Sequence, residues 1–360
     1  MNRLPISVVI TSIAQREIAL RTCHYFLNIC TEVIFVDEEK PILEKMEIMA
    51  IPPGFVYLQY ASSELVQKPV SLAFNEKIAM GCARASNQYV IRANHDEIYT
   101  AKGLEAALEY LDSHQDFAFV SGQCVGFHYD RNKTCLAFAR KYKGLSGYEN
   151  VFSISNRFLY HSVNYVPIAH YALWRKEFLG SALHLTMRAH EAISQTIFCD
   201  ELVFEIIAMK YGKSRSLPEL FWIRNRCNGI SYTGRDFAND SYLTLRRKLS
   251  FSLPEINDEQ LDLMIENFEE RWPIKKFSKA GQALFFIRSK FAIRSRFKKI
   301  KDLLSWVVGR IRLRPQCQPN NPNPLTLNVE LESFLKSEKI SYSQEDVSGI
   351  VGFCRLWEPR

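Results

Sequence analysis

The chain has no paired cysteine spacing. Its nine cysteines, at 23, 30, 82, 124, 135, 199, 227, 317 and 354, are odd in number and never fall as Cys-x-x-Cys. That argues against a zinc knuckle or a disulfide framework and for reduced thiols in a cytoplasmic setting. No apolar run approaches the length of a membrane span. The start, from Met1 to Ile6, passes almost directly into a strand pattern, without the long apolar segment of a signal peptide. A soluble or peripherally attached protein is expected. No glycine occurs from Thr11 to Arg16, so no Gly-rich phosphate loop follows the first apolar run. This counts against a nucleotidyltransferase built on such a loop. Internal repeats are absent as well.

What is present is an ordinary globular composition. With 360 residues, 47% of them hydrophobic, the chain can bury at least one large core, and 24% charged residues is too balanced for wholesale disorder. The net charge of +7 is unevenly placed: residues 275 to 314 hold thirteen Lys and Arg against the single acid Asp302. That window carries +12 and the remainder −5. Any electrostatic partner belongs to this one segment.

Apolar patterning along the first 225 residues alternates between two periods. Ile6 to Ile10 is a continuous apolar run ending in Thr11-Ser12, the form of a strand buried on both faces. Helical spacing follows over 15–30, then a second buried strand from Glu32 that ends in Asp37. Pro52-Pro53-Gly54 breaks the chain before a third strand, Phe55 to Tyr60. Residues 70–85 read as a helix and Tyr89 to Arg92 as a fourth strand. A helix is expected from Gly103 to Ser113, and strands at Phe117–Ser121, Cys135–Ala139, Ile168–Trp174 and Ser216–Arg224. A long helix is expected from Asp200 to Tyr211, closed by Gly212 as its cap. Strands alternating with helices predict an α/β fold with a mixed, mostly parallel Rossmann-like sheet and its sites at the carboxyl strand ends.

The polar residues that close these strands are the candidates for chemistry. Thr11 and Ser12 close the first strand and suit contacts to a base or ribose; Asp37 closes the second and can accept from either. Lys77, in the helix before the fourth strand, and Arg92, at that strand's end, are positive groups able to meet a phosphate. The fourth strand runs into Asn94-His95-Asp96-Glu97, hard oxygen donors of the kind a divalent cation bridging two phosphates requires. Taken one at a time, each of these is ordinary turn chemistry or a solvated helix lysine. Their order is what carries weight. His161, His170, His184 and His190 fit no zinc spacing and read as structural, as do Arg157, Tyr171, Trp174 and Arg175; Arg224 and Arg226 follow the last strand and could approach a diphosphate.

That order is strand-Thr11-Ser12, strand-Asp37, a helix with Lys77, Tyr89-Val-Ile-Arg-Ala-Asn-His-Asp96, and Phe198-Cys-Asp-Glu-Leu-Val-Phe-Glu205 running to Gly212-Lys213. It resembles a GT-A fold glycosyltransferase of the bacterial group related to family 2, over about residues 5 to 225. The resemblance implies a nucleotide-sugar donor and a glycan or lipid-linked acceptor. It places Asn94 and Asp96 in the Asp-x-Asp motif that holds a Mn²⁺ or Mg²⁺ ion and the diphosphate. It places Asp200 and Glu201 as the paired acids of the late helix, one of which is the base that deprotonates the acceptor hydroxyl, with inversion at the sugar. Asn94 departs from the motif: an amide oxygen is a neutral, weaker ligand, so Asp96 would bear most of the binding, helped by Glu97 or His95. Weak metal binding, metal-independent transfer and lost activity all follow as open readings.

Residues 1–230 are therefore expected to form the glycosyltransferase domain, and 231–314 a helical extension. Within it, 283–312 recurs in apolar residues at three- and four-residue steps with basic residues between. Such a segment docks on the body, grips nucleic acid or lies on anionic lipid. The interleaved aliphatic positions favour an anionic membrane surface over a duplex, so no nucleic-acid partner is expected and the cytoplasmic protein would sit at the inner face of the cell membrane. Residues 315–324 read as a linker and 325–360 as a C-terminal tail.

Overall fold

The structure, a computed structural model, describes residues 3–12, 16–38, 51–60, 70–95, 97–129, 136–141, 154, 156–158, 167–191, 197–225, 249–250, 253–271 and 324–355. The basic segment 283–312 and the linker fall outside the described residues.

Nine strands form one sheet. They are β1 (Leu4–Thr11), β2 (Cys30–Asp37), β3 (Phe55–Gln59), β4 (Tyr89–Asn94), β5 (Glu97–Tyr99), β6 (Phe117–Tyr129), β7 (Leu136–Lys141), β8 (Leu173–Arg175) and β9 (Lys213–Asn225). Their order is β3-β2-β1-β4-β8-β6-β9-β5, with β7 paired to β6 beside that path. Strands β1 to β4 are mutually parallel, and β6 pairs parallel with β9. β5, β7 and β8 run the other way. This is the mixed, mostly parallel α/β architecture expected from the strand pattern. β1 lies between β2 and β4, so the chain builds outward in one direction through β3 and then returns to β1's other side. Such a reversal opens a crevice beyond the carboxyl ends of the strands that flank it.

Helices cover both faces because strands such as Val8-Val9-Ile10 are apolar on both. Val8 and Ile10 join one buried cluster with α1 (Arg16–Leu27) and α3 (Ala101–Ser113); α2 is Val70–Arg84. Val9 joins the opposite cluster with residues of α2, α4 (Lys176–Glu191), α5 (Ile197–Ala208) and α6 (Asp258–Arg271). Two tail helices, α7 (Pro324–Ser337) and α8 (Gln344–Arg355), complete the first face. Their Leu331, Leu335, Val347, Ile350 and Cys354 are fully buried in the same cluster as β1. Ser341, between them, pairs with β9: the Leu220 amide donates to its carbonyl at 2.7 Å.

Three expectations are corrected. Ile168–Trp174 is not one strand. Ala169–Tyr171 is a 3-10 turn, and only Leu173–Arg175 pairs, antiparallel, with β4 and β6. The late helix starts three residues earlier than expected and ends at Ala208, so Gly212, four residues on, lies just before β9 rather than at the helix end. Helix α4 was not anticipated, although Leu179, Ala182, Leu183, Thr186 and Ala189 carry its period and are all buried.

Candidate active site at the carboxyl strand ends

Parallel register brings the candidate residues to one level. Thr11 is the register partner of both Val36 and Asn94, and Asp37 follows Val36. The carboxyl ends of β1, β2 and β4 therefore meet at a single edge, with Thr11, Ser12, Asp37 and Asn94 side by side. Thr11, Ser12 and Asp37 are almost fully buried from bulk water; Asn94 is half-buried. Among the described residues the buried Ser12 hydroxyl has no hydrogen-bond partner.

Two ion pairs organise this edge. Asp37 Oδ2 accepts from Arg16 Nε at 2.7 Å and from the Tyr57 hydroxyl at 3.1 Å. The helix after β1 is thus tied to the end of β2, and one Asp37 oxygen is already engaged. Lys77, on α2, is 1% exposed. Its ammonium donates to the Ser12 carbonyl at 3.2 Å and to Glu38 Oε2 at 2.5 Å. A buried ammonium held by one carboxylate and one carbonyl retains unspent donor capacity, since it has three protons. Glu38 was not singled out in the sequence. Its neighbour Asp37 drew the attention, and only the fold shows that the next residue turns toward Lys77.

At the β4 end, the Asn94 amide donates to Glu97 Oε2 at 2.9 Å, and Arg224 Nε stands 3.5 Å from Glu97 Oε1. Glu97 is 1% exposed, so its carboxylate is committed to joining β4, β5 and β9. His95 offers its carbonyl to the Thr22 hydroxyl at 2.5 Å. Among the described residues no group of three His, Cys, Asp or Glu could hold a metal ion. Asp96, the carboxylate expected to hold a cation, lies outside the described residues.

Arg92 is on β4, two residues before Asn94. It is 4% exposed, with its guanidinium carbon 5.2 Å from the Phe74 ring centre and 5.3 Å from that of Phe204. A cation between two aromatic faces in a dry setting is a favourable arrangement, about 2 kcal/mol or more when desolvated. Phe204 belongs to α5, so Arg92 docks the late helix onto β4.

This docking involves the helix that carries Asp200 and Glu201. The helix leads into β9, which runs parallel to β6 in the same sense as β4, so α5 runs against the strands and its first turn lies at their carboxyl edge. Phe204 is level with Arg92. Four residues back along the helix is about 6 Å, and two residues on along β4 is about 6.6 Å. Position 200 thus lies about as far along the helix from Phe204 as Asn94 lies along β4 from Arg92. The side chains of Asp200 and Glu201 lie outside the described residues.

Beneath that first turn is a buried polar knot. Glu205, fully buried, accepts the Ala169 amide at 3.0 Å and the His170 amide at 2.6 Å. His170 Nδ1 is 3.4 Å from the same carboxylate. Burial holds the imidazole well below its ordinary pKa, and the neighbouring charges of Arg92 and then Arg224 push the same way, so His170 is neutral at pH 7. Arg157 donates to the Met209 carbonyl at 2.9 Å and Arg175 ties Phe117 and Leu111 carbonyls at 3.0 and 2.5 Å; both are structural, as expected.

The fold thus defines a three-layer α/β protein, with a polar edge at the reversal of its strand order. No family model and no curated protein matches the chain. Among solved structures it is similar to S. aureus TarS 1-349, at 12% identity and a TM-score of 0.45, over 98% of this chain and 91% of that one. It is similar also to TarS 1-349 in complex with UDP-GlcNAc, at 12% identity and a TM-score of 0.47. Against the longer S. aureus TarS the identity is 11% and the TM-score 0.48, and the match spans 97% of this chain but 55% of that one. No helix among the described residues is long and apolar enough to cross a membrane.

Proposed function

We propose that the chain is a glycosyltransferase that takes its sugar from a nucleotide-sugar donor. One observation carries this reading: Thr11, Ser12, Asp37 and Lys77 converge with Asn94 at the carboxyl edge where the strand order reverses. The nucleoside would meet the ends of β1 and β2, and the diphosphate would meet the Lys77 ammonium and the Ser12 hydroxyl. Glu201, at the head of α5, is the base in this reading. It takes the proton of an acceptor hydroxyl as that oxygen attacks the anomeric carbon and the nucleoside diphosphate departs, so the sugar inverts. A positioned carboxylate contributes ~10²- to 10⁴-fold to such a step.

A divalent cation, if bound beside the diphosphate, would stabilise its growing charge, and Asp96 is the carboxylate to hold it. An Asp96→Ala variant that keeps the native response of UDP affinity to Mn²⁺ removes that role. The acceptor is read as a glycan or lipid-linked sugar of a surface polysaccharide, met at the membrane through the basic segment 283–312. Flotation with anionic vesicles checks this: equal partitioning of native protein and a 275–314 deletion contradicts it.

The donor reading is tested by calorimetry with UDP and UDP-GlcNAc, both of which appear in solved complexes of TarS, beside ADP, GDP and UTP. Binding of a nucleoside diphosphate supports it. Preference for the triphosphate would point to a nucleotidyltransferase. Vesicle binding without nucleotide binding would point to a non-catalytic membrane module.

A further inference from the structure

Helix α5 contains one feature its surroundings do not ask for. Val203, Phe204, Ile206, Ile207 and Ala208 are all buried and apolar, yet Glu205 among them is a fully buried carboxylate. An apolar residue there would avoid the cost of taking a charge out of water, and buried charges add little net stability. What a carboxylate adds is direction. Glu205 spends its two oxygens on two successive backbone amides, Ala169 at 3.0 Å and His170 at 2.6 Å. Backbone donors in a 3-10 turn cannot swing to follow a displaced helix as a long side chain could. The turn is itself fastened: Trp174 Nε1 donates to the Ala169 carbonyl at 2.8 Å, and Trp174 sits on β8 as the register partner of Val90 on β4. Its ring stacks on Phe119 with centroids 4.2 Å apart.

Two ties therefore join the late helix to β4. One passes through Phe204 to Arg92; the other passes through Glu205, the 3-10 turn and Trp174. Position 201 stands one turn before both. We infer that Glu205 and Arg92 are positioning residues, which clamp the first turn of α5 at a fixed height and rotation against the end of β4. The inference rests on the proposed function, because it gives the clamp its purpose: to hold the base at 201 within reach of an acceptor hydroxyl beside the diphosphate. Misplacing a reacting group by about 1 Å costs on the order of 100-fold in rate. A carboxylate with two rigid partners is suited to prevent that. Arg92 is then a framework cation beneath the site, and Lys77 is the cation that meets phosphate.

The test uses the full chain and Glu205→Gln, which replaces one of the two accepting oxygens with an NH₂ donor. Hydrogen exchange by mass spectrometry and UDP-GlcNAc turnover are read together. The clamp predicts at least tenfold faster exchange in 197–203, with β1, β2 and α2 unchanged. It also predicts UDP affinity and donor KM within threefold of native, and kcat reduced at least 30-fold. Native exchange rates at 197–203 would overturn it, as would a loss of activity that appears in KM alone. Should Glu205→Gln fail to fold, Phe204→Leu removes the other tie while keeping the site apolar, and the same two outcomes decide. A native chain that does not bind UDP sinks the glycosyltransferase reading, whereas the exchange result still decides the clamp.

Discussion

The guanidinium carbon of Arg92 lies 5.3 Å from the centre of the Phe204 ring, so strand β4 and the acid-bearing helix are in direct contact. That contact fastens the middle of α5, the helix of Asp200 and Glu201, to the strand that ends in Asn94, and Glu201 is the base in the proposed reading. Glu201→Gln is expected to lower kcat at least 100-fold with UDP affinity unchanged, and Asp200→Asn to lower it less than tenfold. Single-turnover assays of the two variants check the order. Equal, undiminished rates would refute a base at this turn.

Lys77 and Glu38 give a second, oppositely signed pair of outcomes. The ammonium is neutralised by Glu38 in the free protein. Lys77→Met removes the cation and should weaken UDP binding at least tenfold, about 1.4 kcal/mol. Glu38→Gln frees the cation from its competitor and should strengthen UDP binding about threefold, roughly 0.7 kcal/mol. Calorimetry at fixed ionic strength reads both. Weaker binding in Glu38→Gln would mean that the carboxylate itself touches the nucleotide.

His170 makes stability depend on acidity. Its folded-state pKa is depressed, first by burial and then by Arg92 and Arg224, so below the ordinary histidine value the unfolded chain binds the extra proton and the folded chain does not. Stability contributed by the neutral ring is complete above about pH 6.5 and is lost as pH falls, by about 1.4 kcal/mol per unit until the folded value is reached. Urea melts at pH 7.0 and 5.5 should show a smaller acid loss in His170→Gln than in the native chain. An identical loss in both would exclude His170 as its source.

Gly103 tests the packing that supports β5 and β9. A methyl group there would stand 2.5 Å from the Leu220 carbonyl oxygen and 2.8 Å from Phe221 Cα, both backbone atoms. Gly103→Ala should destabilise by about 1–3 kcal/mol from overpacking, against a helix-propensity gain of about 1 kcal/mol. Thermal unfolding reads the sign; a raised midpoint would contradict the tight contact.

Much of this architecture is legible in the chain. The apolar runs of β1, β2 and β4 are buried on both faces, and each ends in a polar residue that the register brings to the same edge. Such strands announce themselves because nothing in them must face water. Helix α4 carried a readable period but was obscured by the strand-like Leu173-Trp174-Arg175 before it. The 3-10 turn at Ala169 was not readable, because it exists to present amides to Glu205, a partner 35 residues and more away. The setting of Arg92 was hidden for the same reason: which aromatic rings an arginine at a strand end meets depends on the helix laid over it. The tail is likewise fixed by distant contacts, with Ser341 joining β9 and Asp346 Oδ1 accepting from the Lys102 amide at 3.4 Å.

The central claim is that a nucleoside diphosphate rests on the joined ends of β1, β2 and β4. Hydrogen exchange of the full chain with and without saturating UDP measures this most directly. The account predicts slowed exchange in peptides covering 8–12, 34–38 and 90–95, and little change in β7 or the tail helices. Absence of UDP binding, or protection confined to other segments, would contradict it.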